Sequence, residues 1–170
     1  MARTKKKTGA AQATTGRPAS ASRTEMVEVT LPQDGNVLGN VLGGRVMHLV
    51  DMAAAITAAR HSRSNVVTAS VDYLDFRNPV RVGEMILLKA SVNRAFHTSM
   101  EIGVEVFSEN LLTGERKHTT SAYLTFVAVD EEQRPQAVPP LVCQTAEERR
   151  RFREALGRRK IRLAHRTGRR

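Results

Sequence analysis

Asn36-Val37-Leu38-Gly39-Asn40-Val41-Leu42-Gly43-Gly44-Arg45-Val46-Met47-His48-Leu49-Val50-Asp51 runs from a glycine-rich loop into an apolar helix. From Gly44 to about His61, Met47, Val50, Ala54 and Ala58 recur at helical spacing, and the alanines permit close packing against a sheet. From Asn65 onward the period changes to two. Val66–Phe76 reads as a strand closed by Asn78-Pro79, and Glu84–Ala95 follows the Val82-Gly83 turn. In Ser99–Glu109, Met100, Ile102, Val104 and Val106 alternate with Ser99, Glu101, Gly103 and Glu105, which predicts one buried face and one wetter face. Thr113-Gly114 sits in the connection to a long returning strand, Glu115–Val129. Upstream, Met26–Pro32 alternates as a short strand, and Asp34-Gly35 marks a turn in the loop Gln33–Gly43. A strand, one long helix and four antiparallel strands imply an α+β unit whose sheet curls around the single helix.

The same stretch carries the chemistry. Glycines at a helix start leave backbone N–H groups open to a ligand, and the positive end of the helix dipole suits an oxyanion or a polarised carbonyl. Asp51 lies seven residues past Gly44, about two turns along. An electrophile-polarising end and a base thus share one element. Asp51 alone could equally be a solvated carboxylate pairing with His48. Asn36 alone reads as a turn residue beside Asp34-Gly35. Gly43 and Gly44 could serve close helix–sheet packing.

Composition narrows the alternatives. The chain has 170 residues, one domain's length, and 41% of them are hydrophobic, enough for an ordinary core. With 4% aromatics and no Trp, aliphatic packing must dominate. The single cysteine, Cys143, excludes a disulfide framework within the chain and fits a reducing, cytoplasmic setting. It has no neighbouring His to activate it, and no Gly-x-Ser-x-Gly elbow is present for serine chemistry. His48, His61, His97 and His118 show no metal spacing, so no metal is expected, and only His48 lies near the candidate carboxylate. No apolar run approaches the roughly 20 residues that span a bilayer.

The net charge of +10 is unevenly placed. Residues 1–24 hold six Lys/Arg and no acid, and residues 149–170 hold eleven against Glu154 alone. Residues 25–148 carry ten Lys/Arg against sixteen Asp/Glu, so the centre is acidic. Residues 1–24 lack Val, Ile, Leu and Phe and are expected to be a disordered basic tail. They have neither a secretory apolar segment nor the apolar helical face of a transit peptide. Thr145–Ile161 reads either as a basic helix with an Ala146/Phe152/Leu156 edge or as disorder. The expected organisation is a tail (1–24), a domain (25–141) and a basic C-terminal extension (142–170), with 1–24 and 149–170 dispensable for chemistry.

The pattern Asn36-x-x-Gly39-x-x-x-Gly43-Gly44-x-x-Met47-x-x-x-Asp51 resembles that of the hotdog-fold acyl-coenzyme A thioesterases. Further matches are Val67-Thr68-Ala69-Ser70-Val71-Asp72, Phe76-x-x-Pro79-Val80-x-x-Gly83, Thr98-Ser99-Met100-Glu101, Thr125-Phe126-Val127-Ala128-Val129-Asp130 and Val138-Pro139-Pro140-Leu141. They follow one another in order over residues 26–141. The resemblance implies a five-stranded antiparallel sheet wrapped on the helix. It also implies homodimers, often joined as trimers of dimers, with sites at the dimer interface. It makes Asp51 the catalytic aspartate and Asn36 the catalytic asparagine, usually supplied by the other subunit. It places Gly43 and Gly44 at the carbonyl-polarising end. Asn40 rivals Asn36 for its role, and Ser99 joins it as a candidate substrate contact. Arg45, Arg63, Arg77, Arg81 and Arg94 are the folded-domain candidates for the coenzyme A phosphates. Many relatives carry an acidic or small residue where this chain has Met52. Coenzyme A enters as part of the substrate, and no separate cofactor is expected. Two other readings remain: an acyl-CoA-binding module without turnover, and nucleic-acid binding through the basic tails.

Overall fold

The computed structural model describes residues 15–167. Nine regular elements follow in order: β1 (Arg17–Pro18), β2 (Thr24–Val29), α1 (Gly43–Ser62), β3 (Asn65–Leu74), β4 (Met85–Ala95), β5 (Ser99–Glu109), β6 (Arg116–Val129), β7 (Leu141–Val142) and α2 (Ala146–Thr167). Five strands form one antiparallel sheet in the order β2-β4-β5-β6-β3, leaving β2 and β3 as edges. β1 and β7 make a separate parallel pair. The central helix and the strands stand where the periodicity puts them.

The core lies between α1 and one face of the sheet. α1 buries Val46, Leu49, Val50, Ala53, Ala54 and Ala58 against the alternate residues Ile86, Leu88, Ala90 and Val92 of β4 and Met100, Ile102, Val104 and Val106 of β5. β6 adds Ala122, Leu124, Phe126 and Ala128. The alanines of α1 let the helix sit close to this aliphatic surface, so few aromatics are needed.

The opposite face departs from expectation. The alternation on β5 predicts a wetter side, yet Glu101 and Asn93 on that side are fully buried. Helix α2 covers them. Arg158 donates to both Glu101 oxygens, at 2.7 Å for Nη2–Oε1, and stacks over the Tyr123 ring at 3.8 Å. Asn93 Nδ2 donates to Glu101 at 3.0 Å, in space that a side chain at Gly103 would fill. Arg162 pairs with Asp72, and Arg94 stacks on Phe152. Burial works against the Arg158 charge, but the Glu101 hydrogen bond and charge more than offset it and hold its pKa above the ordinary value. From Ala146 to Thr167 the C-terminal extension is therefore an ordered helix on the sheet face, not a disordered tail. Arg158 and Arg162 point inward to paired acids of the sheet, a pattern invisible to an apolar-edge argument. Arg158→Met should cost about 3–5 kcal/mol, because it strands a buried carboxylate. Chemical denaturation checks this. The double variant Arg158→Met/Glu101→Leu should recover most of the loss, and failure to recover would remove the ion pair as the cause.

The N-terminal expectation also needs correction. Residues 1–14 lie outside the described residues, but 15–24 are ordered. Lacking large apolar side chains, this segment is held by polar contacts instead. Arg17 Nη1 donates to the carbonyls of Arg60 and His61, the last turn of α1, where carbonyls lack helical partners. Arg17 N–H donates to Pro140 O at 2.8 Å, and Ala19 and Ser22 are buried. His61 is fully buried beneath them. Its Nε2–H donates to Pro139 O at 3.1 Å, which leaves Nδ1 as an acceptor 3.4 Å from the Ser22 hydroxyl. Burial lowers the His61 pKa, the Pro139 bond raises it and Arg17 lowers it, with a net downward shift. His61 thus belongs to the core.

Candidate active site

The loop before α1 is a tightly bonded turn. Asn36 Oδ1 accepts the N–H groups of Leu38 at 2.9 Å and Asn40 at 3.2 Å. Asn36 N–H donates to Asn40 O at 2.8 Å. Both lone pairs of the Asn36 carbonyl oxygen are spent on its own loop, so its amide group can only donate outward. Asn40 is the partner that holds this turn and pairs with Arg81 in an isolated bridge, which distinguishes it from Asn36.

The helix itself begins without a cap. Leu42 occupies the N-cap position and makes no side-chain capping bond. The first helical donors with an acceptor are Arg45 and Val46, both on Leu42 O. The Gly43 and Gly44 N–H groups have no acceptor among the described residues. A side chain at Gly43 would meet the Phe76 ring at 3.5 Å, whereas one at Gly44 would meet no atom within 4 Å. Close helix–sheet packing therefore does not account for Gly44. Its bare backbone faces open space.

Asp51 sits on the outward side of α1, partly buried. Thr68 Oγ1 donates to Asp51 Oδ1 at 2.9 Å, leaving Oδ2 without a protein donor among the described residues. A bulge in β3 aims the threonine. Thr68 pairs with the core-facing Phe126, whereas Ser70, two residues on, pairs with the outward-facing Thr125. The register shift between them turns Thr68 toward α1 and leaves Ser70 on the α2 side, bonded to Asp72. Thr68 went unassigned in the sequence. A hydroxyl on an apolar strand was the available signal, but the bulge that decides its direction has no local signature. His48 is exposed, and among the described residues no hydrogen bond or ion pair joins it to Asp51. Exposed Met47, Met52 and Ile56 line the same side of α1, with Val67 and Val71 on the neighbouring edge strand.

The arginine candidates separate cleanly. Arg45 Nε donates to Asp34 at 3.1 Å and Nη2 to Glu28 at 2.7 Å, so it is committed to the loop. Arg94 lies on the α2 side of the sheet between Phe96 and Phe152, away from Asp51. Both are engaged by protein partners rather than standing free beside the loop. Arg63 ends α1 in a left-handed conformation, far from Gly44. Arg77 is exposed beside Asp75, and Arg81 is exposed next to the loop. Ser99 begins β5, where its carbonyl accepts the Phe96 N–H. Burial and then Glu148 push the Cys143 thiol up, against Arg149 and Arg94, the opposite of nucleophile activation.

A cavity of about 580 Å³ lies elsewhere. Ser70, Asp72, Tyr73, Arg158, Ile161 and His165 are among its walls, and none of Asn36, Gly43, Gly44 or Asp51 is. The candidate groups stand on an open face beside an unpaired strand edge.

Comparison with known proteins gives this arrangement a family. Residues 38–115 match the thioesterase superfamily. A hexameric acyl-CoA thioesterase of known structure is 44% identical, with a TM-score of 0.86 over 89% of this chain and 97% of that one. An acyl-CoA hydrolase from Staphylococcus aureus, solved with butyryl coenzyme A and coenzyme A, is 33% identical with a TM-score of 0.84, over 89% of this chain and 93% of that one. That hydrolase has also been solved with an asparagine, an aspartate or a threonine replaced by alanine. Those three residues follow one another at intervals of 15 and 17, the intervals that separate Asn36, Asp51 and Thr68 here. Acyl-coenzyme A thioesterase 11 of Mus musculus is 40% identical over 148 residues, 86% of this chain, but the chain spans only 25% of its length. The chain belongs to the hotdog-fold acyl-CoA thioesterases.

Proposed function

We propose that the protein hydrolyses acyl-CoA thioesters to a carboxylic acid and coenzyme A. The observation that carries this reading is the pairing of two unclaimed helix donors, Gly43 and Gly44, with a carboxylate held by Thr68. Water attack on the thioester carbon moves charge onto the carbonyl oxygen. Preorganised donors aimed at that oxygen are commonly worth about 2.7–4 kcal/mol each on removal. Gly43 and Gly44 N–H and the Asn36 amide are the donors. Thr68 fixes one oxygen of Asp51, and the other takes the proton from water as its oxygen bonds to the carbonyl carbon. The C–S bond then breaks, and the proton passes to the departing thiolate. In the alternative covalent route, Asp51 attacks directly and water opens the resulting anhydride. A thiolate leaves readily, so no strong general acid is needed.

The site is composite. About 10 Å of helix separates Gly44 from Asp51, which favours donors from one subunit acting on a carbonyl beside the partner's carboxylate. The exposed apolar row on α1 and the free edge of β3 suit a second copy, in keeping with the hexameric assembly of the related thioesterase. Among the described residues no helix is long and apolar enough to cross a membrane. We place the reaction in the cytoplasm, as in the related cytosolic acyl coenzyme A thioester hydrolase of Mus musculus, 37% identical over 141 residues.

A panel of acyl-CoA thioesters with free-thiol detection tests the reading. Thiol release that depends on Asp51 is expected. Tight acyl-CoA binding without release would make the protein a binding module. Gly44→Ala separates function from folding. Alanine favours a helix by up to about 1 kcal/mol over glycine, so stability should hold or rise. A methyl group in the substrate's space should nonetheless lower kcat/KM by about 10- to 200-fold. Unchanged kcat/KM would show that nothing approaches Gly44.

A further inference from the structure

We propose that Asp34 and Arg45 are positioning residues for this reaction, fixing the Asn36 loop against the start of α1. The inference rests on the functional reading of Asn36 and the helix donors. Asp34 contacts three places at once. Its Oδ2 accepts the Leu31 N–H at 2.9 Å, where the chain enters the loop. Its backbone carbonyl accepts the Leu42 N–H at 2.8 Å, where the chain leaves it. Its Oδ1 accepts Arg45 Nε at 3.1 Å, in the first turn of the helix. Arg45 in turn reaches Glu28 on β2 at 2.7 Å, tying the loop to the edge of the sheet. Asp34 is largely enclosed, with 13% of its side chain exposed.

These bonds define a rigid body. Asn36 rides on the loop that Asp34 closes, and Gly43 and Gly44 lie between Leu42 and Arg45, the two residues Asp34 holds. The second wall of the loop is tied separately, by Val41 N–H to Val80 O and Val82 N–H to Gly39 O. The Asp34–Arg45 pair therefore sets the offset between the Asn36 amide and the helix donors. A carbonyl oxygen must meet both within hydrogen-bonding distance. A displacement near 1 Å at such a site costs up to about 100-fold in rate. The planar guanidinium suits the task because it spans two carboxylates that a lysine ammonium cannot bridge in the same geometry.

The test compares Arg45→Met, Asp34→Asn and Arg45→Lys in the full-length protein, with Arg134→Met as a control for losing an exposed arginine. Steady-state acyl-CoA hydrolysis and amide hydrogen exchange of the segment 31–42 are read together. Arg45→Met and Asp34→Asn should lower kcat by about 10- to 100-fold with KM changed less than about threefold. Exchange should accelerate in 31–42 and not in β4, β5 or β6. Arg45→Lys should recover part of the rate, and Arg134→Met should change neither readout. Unchanged exchange in 31–42 overturns the clamp, as does acceleration spread over the whole sheet. A raised KM at constant kcat would make Arg45 a phosphate ligand and overturn it too. Faster exchange with unchanged kcat also overturns it, and Asn36→Asp then locates the fault. If that variant is inactive the reading of the site stands and only the clamp fails, and if it is active the reading itself has failed.

Discussion

Asp51→Asn should lower kcat for acyl-CoA hydrolysis by at least about 100-fold, the range expected for removal of an acid–base group. The substitution is nearly isosteric. An asparagine oxygen can still accept the Thr68 hydroxyl, so the local geometry survives while the proton acceptor is lost. The side chain is only partly buried and has no ion-pair partner among the described residues, so thermal stability should stay within about 0.5 kcal/mol. Both chemical routes need the carboxylate, as base or as nucleophile. Turnover near the parent rate in the folded variant would end the assignment.

Asn36→Asp should have an effect of similar size, about 100- to 1,000-fold, by the measure of losing one oxyanion donor. The structure makes this variant more telling than Asn36→Ala. Aspartate keeps an oxygen for the Leu38 and Asn40 N–H groups, so the turn persists. What changes is the outward group, from donor to anionic acceptor, which repels a developing oxyanion. Asn36→Ala removes both functions and should also loosen the loop. If Asn36 served instead as an acceptor for water, Asn36→Asp would retain substantial activity, and that result would refute the donor role. Mixing Asn36→Asp with Asp51→Asn subunits probes the composite site. Random pairing leaves about a quarter of the sites with both parent residues if those residues come from different subunits, and none if they come from one. No recovery after verified exchange would place the whole site within one chain.

The fold was legible wherever one periodicity dominated. The helix from about Gly44 and the strand Ser99–Glu109 follow from apolar spacing alone, because the face they share is uniformly apolar. The outer face was misread for a physical reason. Glu101 and Asn93 look solvated in sequence, and the buried Glu101 carboxylate is tolerable because the distant Arg158 pairs with it. The ends of the described chain were hard for the same reason: Arg17 and α2 dock through hydrogen bonds and ion pairs, which leave no hydrophobic pattern. At the site, Asn36, Gly43, Gly44 and Asp51 stood out through the family pattern. Thr68 and Asp34 did not, since one depends on a bulge and the other on bonds between segments that meet only after folding.

Leu42 at the head of α1 has a further consequence. Serine or aspartate there would cap the helix and contribute about 1 kcal/mol of stability. Its side-chain oxygen would take the N–H at the second or third helical position, which here means Gly44 or Arg45. The ordinary remedy for an unfinished helix would thus install a permanent internal competitor for the thioester oxygen. Leucine keeps the position vacant at the expense of a weaker helix start. On the proposed mechanism the unfilled bond at this helix start goes to the substrate, so the protein should be at its most rigid when occupied and should soften again each time the acid departs.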